Sequence, residues 1–259
     1  MRERYIFTGT LICKAGLHVG SGKGAAYTDA TVMTDPDGNP FIPGSSLKGA
    51  MRSAVERIGQ VLNHTGKFTS CLLFEENNHV QCVTSNESLR QQYEEMREQG
   101  ASEEELVGFL LGDPPHLCDT CKVFGSPYYA SKVRITDAHW VNGHNPVVRD
   151  GVGIDRDTET AAENIKFDFE VVPPDAEFKF EMILEDPDGK DLGLVCLALR
   201  EMELDGLLSI STVVSSVCRY LLFITITNRK KLFLGHYQVT MFFTVVLKDS
   251  GFNNRIYRT

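Results

Sequence analysis

Four cysteines, one aspartate and a glycine- and serine-rich helix start carry most of the chemistry open to this chain. Cys118 and Cys121 stand in a Cys-x-x-Cys spacing that points two sulfurs the same way, and Cys71 and Cys82 upstream can complete a four-thiolate site. Such a donor set suits a tetrahedral structural Zn2+, which would tie together the ends of a segment that is short of core residues. His64, His79 and His116 are rival fourth ligands; a redox dithiol at 118 and 121, or unligated core cysteines, are the other readings. A closed four-ligand site leaves no position for a substrate, so the metal is not expected to be catalytic.

The second constellation lies in residues 29–58. Asp29 precedes Pro43-Gly44-Ser45-Ser46, after which Leu47, Met51, Ala54, Val55 and Ile58 recur at helical spacing. Ser45 or Ser46 can accept a bond from a free N–H of the first turn. The start of such a helix presents unpaired N–H groups and the positive dipole end, and Lys48 and Arg52, one turn apart, add cations near it. A phosphate is the anion this arrangement suits; an ordinary capped surface helix explains the same spacing. Ahead of it, Tyr5, Phe7, Gly9, Leu11 and Cys13 alternate as a strand, and glycines at 20, 22 and 24 let a backbone approach a ligand closely. Gly20-Ser21-Gly22-Lys23 lacks P-loop spacing.

The remaining elements must position these groups. An acidic segment predicts one helix over 86–99 and another over 103–111, the second opened by a Ser102/Glu105 capping box. Gly112-Asp113-Pro114-Pro115 stops it just before the cysteine pair. Charges and glycines at 149–157 read as a mobile loop or hairpin tip. Phe167, Phe169 and Val171 alternate, Pro173-Pro174-Asp175-Ala176 turns, and Phe178, Phe180, Met182 and Leu184 alternate again, which predicts a strand–turn–strand hairpin. A helix follows, with Leu192, Val195, Leu199 and Met202 on one stripe. This order suits an α+β protein with a ferredoxin-like (RRM-like) core.

A chain of 259 residues with 42% hydrophobic residues can form one elaborated domain. The expectation is a cytoplasmic protein without membrane partners: no early apolar run suggests a signal peptide, and the stretch 220–226 is too short to span a bilayer. Seven cysteines, an odd count, favour thiols or metal ligands over a disulfide framework. The net charge of −9 would argue against a nucleic-acid partner if it were evenly spread. It is concentrated instead: residues 68–115 hold ten acidic and two basic side chains, whereas residues 1–67 hold five and eight.

The run Ile42-Pro43-Gly44-Ser45-Ser46-Leu47-Lys48-Gly49-Ala50-Met51-Arg52, with His18-Val19-Gly20, Asp29 and Asp35-Pro36, resembles the amino-terminal signature of the repeat-associated mysterious protein (RAMP) superfamily. Within it the chain is most similar to the backbone subunits of type III CRISPR effector complexes. Residues 118–126, 130–138, 149–158 and 167–173 carry the resemblance on to about residue 205. It implies a RAMP ferredoxin-like domain over 1–205, with a zinc-bearing insertion at 64–125 and a projecting thumb hairpin at 143–166 that packs against the guide–target duplex. It also implies partners: a CRISPR guide RNA, a complementary target RNA and other subunits of the complex.

By position, Asp29 matches the catalytic aspartate of cleaving family members. A carboxylate there would hold Mg2+ or another divalent ion, or assist a target 2′-hydroxyl in attacking its neighbouring phosphate, which makes the chain a metal-dependent endoribonuclease. Capping a turn is the other role open to Asp29. His18 would stack or bond near the guide, Ser45, Ser46, Lys48 and Arg52 would cradle guide phosphates, and Arg149 and Arg156 would flank the thumb contact. Two alternatives stay open: a noncatalytic scaffold subunit with the same surface, and an independent zinc-stapled interaction protein. Residues 206–259 depart from the family, since Gly206 to Thr212 lacks its glycine-rich turn. The apolar runs 212–217, 220–227 and 240–247 can be strands of an alternative closing sheet or an aberrant tail.

Overall fold

The computed structural model describes residues 3–62, 68–73, 75–76, 80–154 and 161–204 and, beyond them, the strand segments 207–208, 217–218, 220–228, 232–234, 237–239 and 242–243. Side chains are described within 3–61, 68–73, 75–76, 80–151 and 167–202. In chain order the elements are β1 (Arg4–Cys13), β2 (Phe41–Ile42), α1 (Gly44–Leu62), α2 (Glu87–Glu98), α3 (Glu103–Leu111) and α4 (Asp119–Phe124). Then come β3 (Val133–Ile135), β4 (Ala138–Asn142), β5 (Val147–Ile154), β6 (Ala161–Val171), β7 (Glu177–Glu185) and α5 (Gly189–Leu204). The later strands are β8 (Leu207–Leu208), β9 (Val217–Cys218), β10 (Tyr220–Asn228), β11 (Leu232–Leu234), β12 (Tyr237–Val239) and β13 (Phe242–Phe243).

The main sheet has seven antiparallel strands in the order β13-β10-β1-β7-β4-β2, with β3 also on β7. Period-two alternation sends Phe7, Leu11 and Cys13 of β1 and Phe178, Phe180, Met182 and Leu184 of β7 to one face, where all are fully buried. Phe7 stands opposite Met182, and Leu11 opposite Phe178. Against that face lie Leu47, Met51 and Val55 of α1 and Leu194, Val195, Ala198, Leu199 and Met202 of α5, so helices and sheet share one core. Truncating one of these large side chains to alanine costs about 2–5 kcal/mol.

Local chemistry fixes the helix ends. Asn86 caps α2 by accepting from Leu89 N–H at 3.1 Å. Ser102 and Glu105 form the reciprocal capping box of α3. Asp188 and Asp191 do the same for α5, each side chain accepting the other's backbone N–H. Asp191, 1% exposed, also takes Lys132 at 2.7 Å and Lys122 at 3.2 Å, which binds α4 and the β3 entry to the start of α5. Helix α1 begins at Gly44, two residues earlier than a cap at Ser45 requires, so Ser45 and Ser46 lie inside its first turn. A Cβ on Gly44 would stand 2.2 Å from the carbonyl oxygen of Ile135, and only glycine allows that approach.

The strands expected at 167–171 and 178–184 form, but not as a hairpin with each other. Strand β6 pairs with β5, from Val147 opposite Val171 to Ile154 opposite Ala161, in a sheet of its own, whereas β7 joins the main sheet. The segment between them is taken by other partners: Val172 exchanges two bonds with Leu17, and Cys13 bonds Ala176 and Asp175. Pro173 and Pro174 supply no N–H to continue a ladder. Arg156 lies outside the described residues, as do His64 and His79.

At the carboxyl end, β10 pairs with β1 along nine residues, Tyr5 opposite Asn228 through Cys13 opposite Tyr220. The run 220–227 is thus a strand beside the centre of the sheet. Among the described residues no helix is long and apolar enough to cross a membrane.

Candidate functional site

The four cysteine sulfurs lie within 4.8 Å of one another and all four residues are buried. Cys118 is the residue ahead of α4 and accepts the N–H of Cys121 on its sulfur at 3.4 Å, so one short helix holds both. Cys71 Sγ stands 3.4 Å from Cys121 Sγ and 3.6 Å from Cys118 Sγ. Cys82 sits in the turn ahead of α2, with its carbonyl accepting from Ser85 and Asn86. A tetrahedron with metal–sulfur distances of about 2.3 Å puts its corners about 3.8 Å apart, which this cluster meets with small shifts.

Four buried thiols this close compete for protons. Hydrogen bonding with Cys118 pulls the Cys82 thiol well below its ordinary range and lowers that of Cys121, while Cys118, bonded to Cys121, and Cys71 are pushed up. Sulfurs that readily share and shed protons can serve as metal ligands. His116 is not among them: its Nδ1 bonds the Phe109 carbonyl at 2.9 Å and its ring packs on Phe109. The rest of this small core is apolar, with Val83, Leu110 and Leu117 buried and Tyr93, Phe109, Tyr128 and Tyr129 packed at its edge.

Strand β6 organises a second site. Asp29 and Ala30 both donate their N–H groups to the Asp168 carbonyl, at 3.0 and 3.2 Å, while the Asp29 carboxylate accepts the Asp168 N–H at 2.9 Å. The side chain of Asp29 is held at one oxygen and the residue is exposed. Two residues along the strand, about 7 Å away, the Glu170 carbonyl accepts from His18 Nδ1 at 2.6 Å. A carbonyl only accepts, so Nδ1 carries the proton in this bond. The His18 Nε2 faces Gly20, where a Cβ would come within 3.1 Å. The His18 ring meets Phe169 edge-on, and Arg149, exposed, is the register partner of Phe169. His18, Asp29 and Arg149 are therefore brought together around one short stretch of β6.

Two neighbours of this site were not legible as functional residues. Glu170 accepts Val32 N–H at 2.9 Å and the Tyr27 hydroxyl at 3.0 Å. That bond to a carboxylate raises the Tyr27 phenol above its usual range and keeps its proton on, while the residue stays 65% exposed. Asp168 and Glu170 alternate with Phe167, Phe169 and Val171, and this polar side of the strand was the available signal.

The helix start distributes its residues differently. Ser45 and Ser46 are exposed and Lys48 is half-buried, its ammonium lowered by burial and then by the charge of Arg52. One helix-start amide, Gly44 N–H, is already bonded to Asp137 Oδ1 at 2.8 Å. Arg52 does not join Lys48 in facing that end. Its guanidinium, 11% exposed, pairs with Glu56 at 2.7 Å, donates to the Gly125 carbonyl, and reaches Cys121 Sγ at 3.3 Å.

A sequence model of the RAMP superfamily matches residues 10–211. The protein described as CRISPR system Cms endoribonuclease Csm3, from Methanothermobacter thermautotrophicus (strain Delta H), is 38% identical over 82 residues, covering 28% of this chain and 34% of that protein. The match thus spans about a third of the length of that curated relative.

Proposed function

Because this chain belongs to the RAMP superfamily, we propose that it is a guide-RNA-binding backbone subunit of a type III CRISPR ribonucleoprotein that also cuts the bound target RNA at Asp29. The observation that carries this reading is the exposed Asp29 carboxylate, fixed by the Asp168 N–H beside His18 and Arg149. The similarity to a protein named as an endoribonuclease supports it. The element order β1-α1-β3/β4-β7-α5-β10, with β10-β1-β7-β4 as the antiparallel core, supports a ferredoxin-like reading. The antiparallel β5–β6 pair supports reading this part of the chain as the thumb, and the four buried cysteines support a structural zinc centre in the insertion.

In this reading His18 and Arg149 hold RNA beside β6, and Ser45, Ser46 and Lys48 meet guide phosphates at the start of α1. Arg156, which falls in the sequence 143–166 read as the thumb, would flank the same contact. Sequence is then read by base pairing, and the protein supplies backbone and shape contacts. At the target strand, the 2′-oxygen attacks the adjacent phosphorus while its proton passes to the Asp29 carboxylate, and the bond from phosphorus to the 5′-oxygen breaks as that oxygen takes a proton from water. The products are a 2′,3′-cyclic phosphate and a 5′-hydroxyl. Asp29 has one carboxylate oxygen beyond the one bonded to Asp168, enough for Mg2+, which binds through few carboxylates plus phosphate and water. Such an ion would supply charge stabilisation at the phosphate.

The test is cleavage of a guide-complementary RNA by the reconstituted complex with Mg2+, comparing wild type with Asp29→Ala at equal target binding. Loss of specific cuts at retained binding supports catalysis at Asp29. A second reading, the noncatalytic scaffold subunit, draws on the same bond from Asp168 N–H, which suits a carboxylate that only ties a loop to a strand. Uncut target with wild type, or equal cutting by both proteins, would favour it.

A further inference from the structure

The geometry points to Arg52 as the charge partner of the metal centre, a positioning residue that holds the thiolate cluster against α1. This rests on the reading of the four cysteines as a zinc site. Zinc with four thiolates carries two net negative charges, and burying them is costly unless a cation and hydrogen bonds offset them. Arg52 supplies both from a helix that contributes no ligand. Its Nη2 donates to Cys121 Sγ at 3.3 Å, its Nη1 to the Gly125 carbonyl at the end of α4, and its Nε to Glu56 at 2.7 Å. Three nitrogens of one planar fork thus meet three different acceptors, which a lysine cannot reproduce.

The arrangement makes α1 and the metal knuckle one unit. Residues 45–48 at the start of α1, where guide phosphates are proposed to bind, lie about one to two turns from Arg52 on the same helix. Thr84 Oγ1 stands 3.4 Å from the same sulfur, so Cys121 has two polar neighbours outside the ligand set. Partners of this kind orient the ligand and tune its hold on the metal.

The test uses the full chain loaded with Zn2+ and titrated with a chromogenic chelator, for wild type, Arg52→Met, Arg52→Lys and Glu56→Gln. Arg52→Met is expected to lower zinc affinity roughly 10- to 100-fold, Arg52→Lys to lose less, and Glu56→Gln to stay close to wild type because the guanidinium stays on the sulfur. With Co2+ in place of Zn2+, Arg52→Met should move the sulfur-to-cobalt charge-transfer band to longer wavelength, since an undamped thiolate is the better electron donor. Wild-type affinity and spectrum in Arg52→Met would overturn the inference, as would equal weakening in Glu56→Gln, which would assign the effect to helix packing. If Arg52→Met fails to fold, unchanged affinity in Arg52→Lys overturns it. A wild-type protein that neither carries nor takes up zinc defeats the zinc reading itself and removes the inference with it.

Discussion

Asp29 and Asp168 hold each other reciprocally: the N–H of Asp29 donates to the Asp168 carbonyl at 3.0 Å, and the N–H of Asp168 donates to the Asp29 carboxylate at 2.9 Å. The pair anchors the loop after the glycine-rich segment to β6, 139 residues further along the chain. It also separates the two possible roles of Asp29.

The substitution Asp29→Asn keeps a side-chain oxygen for the Asp168 N–H but removes the charge and the proton-accepting carboxylate. The variant is therefore expected to fold within about 1 kcal/mol of wild type and to lose cleavage by about 100-fold or more. Target-RNA cleavage read beside thermal unfolding checks this. Full cleavage in Asp29→Asn would leave the carboxylate only its loop-tying role.

Lys48→Ala removes a cation at the first turn of α1 without touching the Arg52 contacts. Guide RNA retention should fall, and the slope of log affinity against log salt should become shallower by about 0.7 for one lost phosphate contact on single-stranded RNA. Filter binding over a salt series measures it. An unchanged slope would remove Lys48 from the guide surface.

Stripping zinc should loosen residues 69–118 while the main sheet persists, because the cysteine core is a cluster separate from the sheet core, which takes in Val123 and Phe124 and against which Phe68 packs. Cys82→Ser should reproduce the effect. Limited proteolysis is expected to cut within this segment first, with the sheet core protected, and to slow again on adding Zn2+ to wild type only. Identical digestion with and without metal would count against the staple.

Asp188 is expected to shape acid stability. Burial works against its charged form, but the bonds from Lys122 and from backbone N–H groups prevail and set its pKa at about 2, below the ordinary 3.8. A carboxyl held down in the folded state adds stability above its unfolded value, and that contribution is lost as pH falls from about 4 towards 2. Its side chain is 51% exposed, so solvent screening keeps the contribution below about 1 kcal/mol. Asp188→Asn should flatten the acid limb of a stability–pH curve in that window; an unaltered limb would show that the pair adds nothing.

Features written in adjacent residues were the legible ones. Ser102 and Glu105 announce α3 because a cap is satisfied within four residues. The metal cluster was legible from Cys118 and Cys121, whose spacing is itself the geometry. Pairing was not: β6 and β7 are adjacent in sequence, yet the link between them bonds Leu17 and Cys13 instead of turning a hairpin. The destination of Arg52 was hidden for a similar reason. Helical spacing put it beside Lys48, but nothing local shows that a long side chain reaches a sulfur 69 residues ahead. Asp168 and Glu170 escaped notice because a polar side of a strand ordinarily faces water.

The pairing of β1 with β10 also sets an order of assembly. The two strands are more than 200 residues apart in the chain, so at typical synthesis rates β1 waits roughly 10–40 s for that neighbour to be made. Its other side waits almost as long for β7, so both rows of its backbone groups stay without their strand partners through most of translation. Slow, non-local closure of this kind exposes a nascent protein to mispairing. Factors that shield emerging strands at the ribosome would thus influence how much of this chain reaches its folded state.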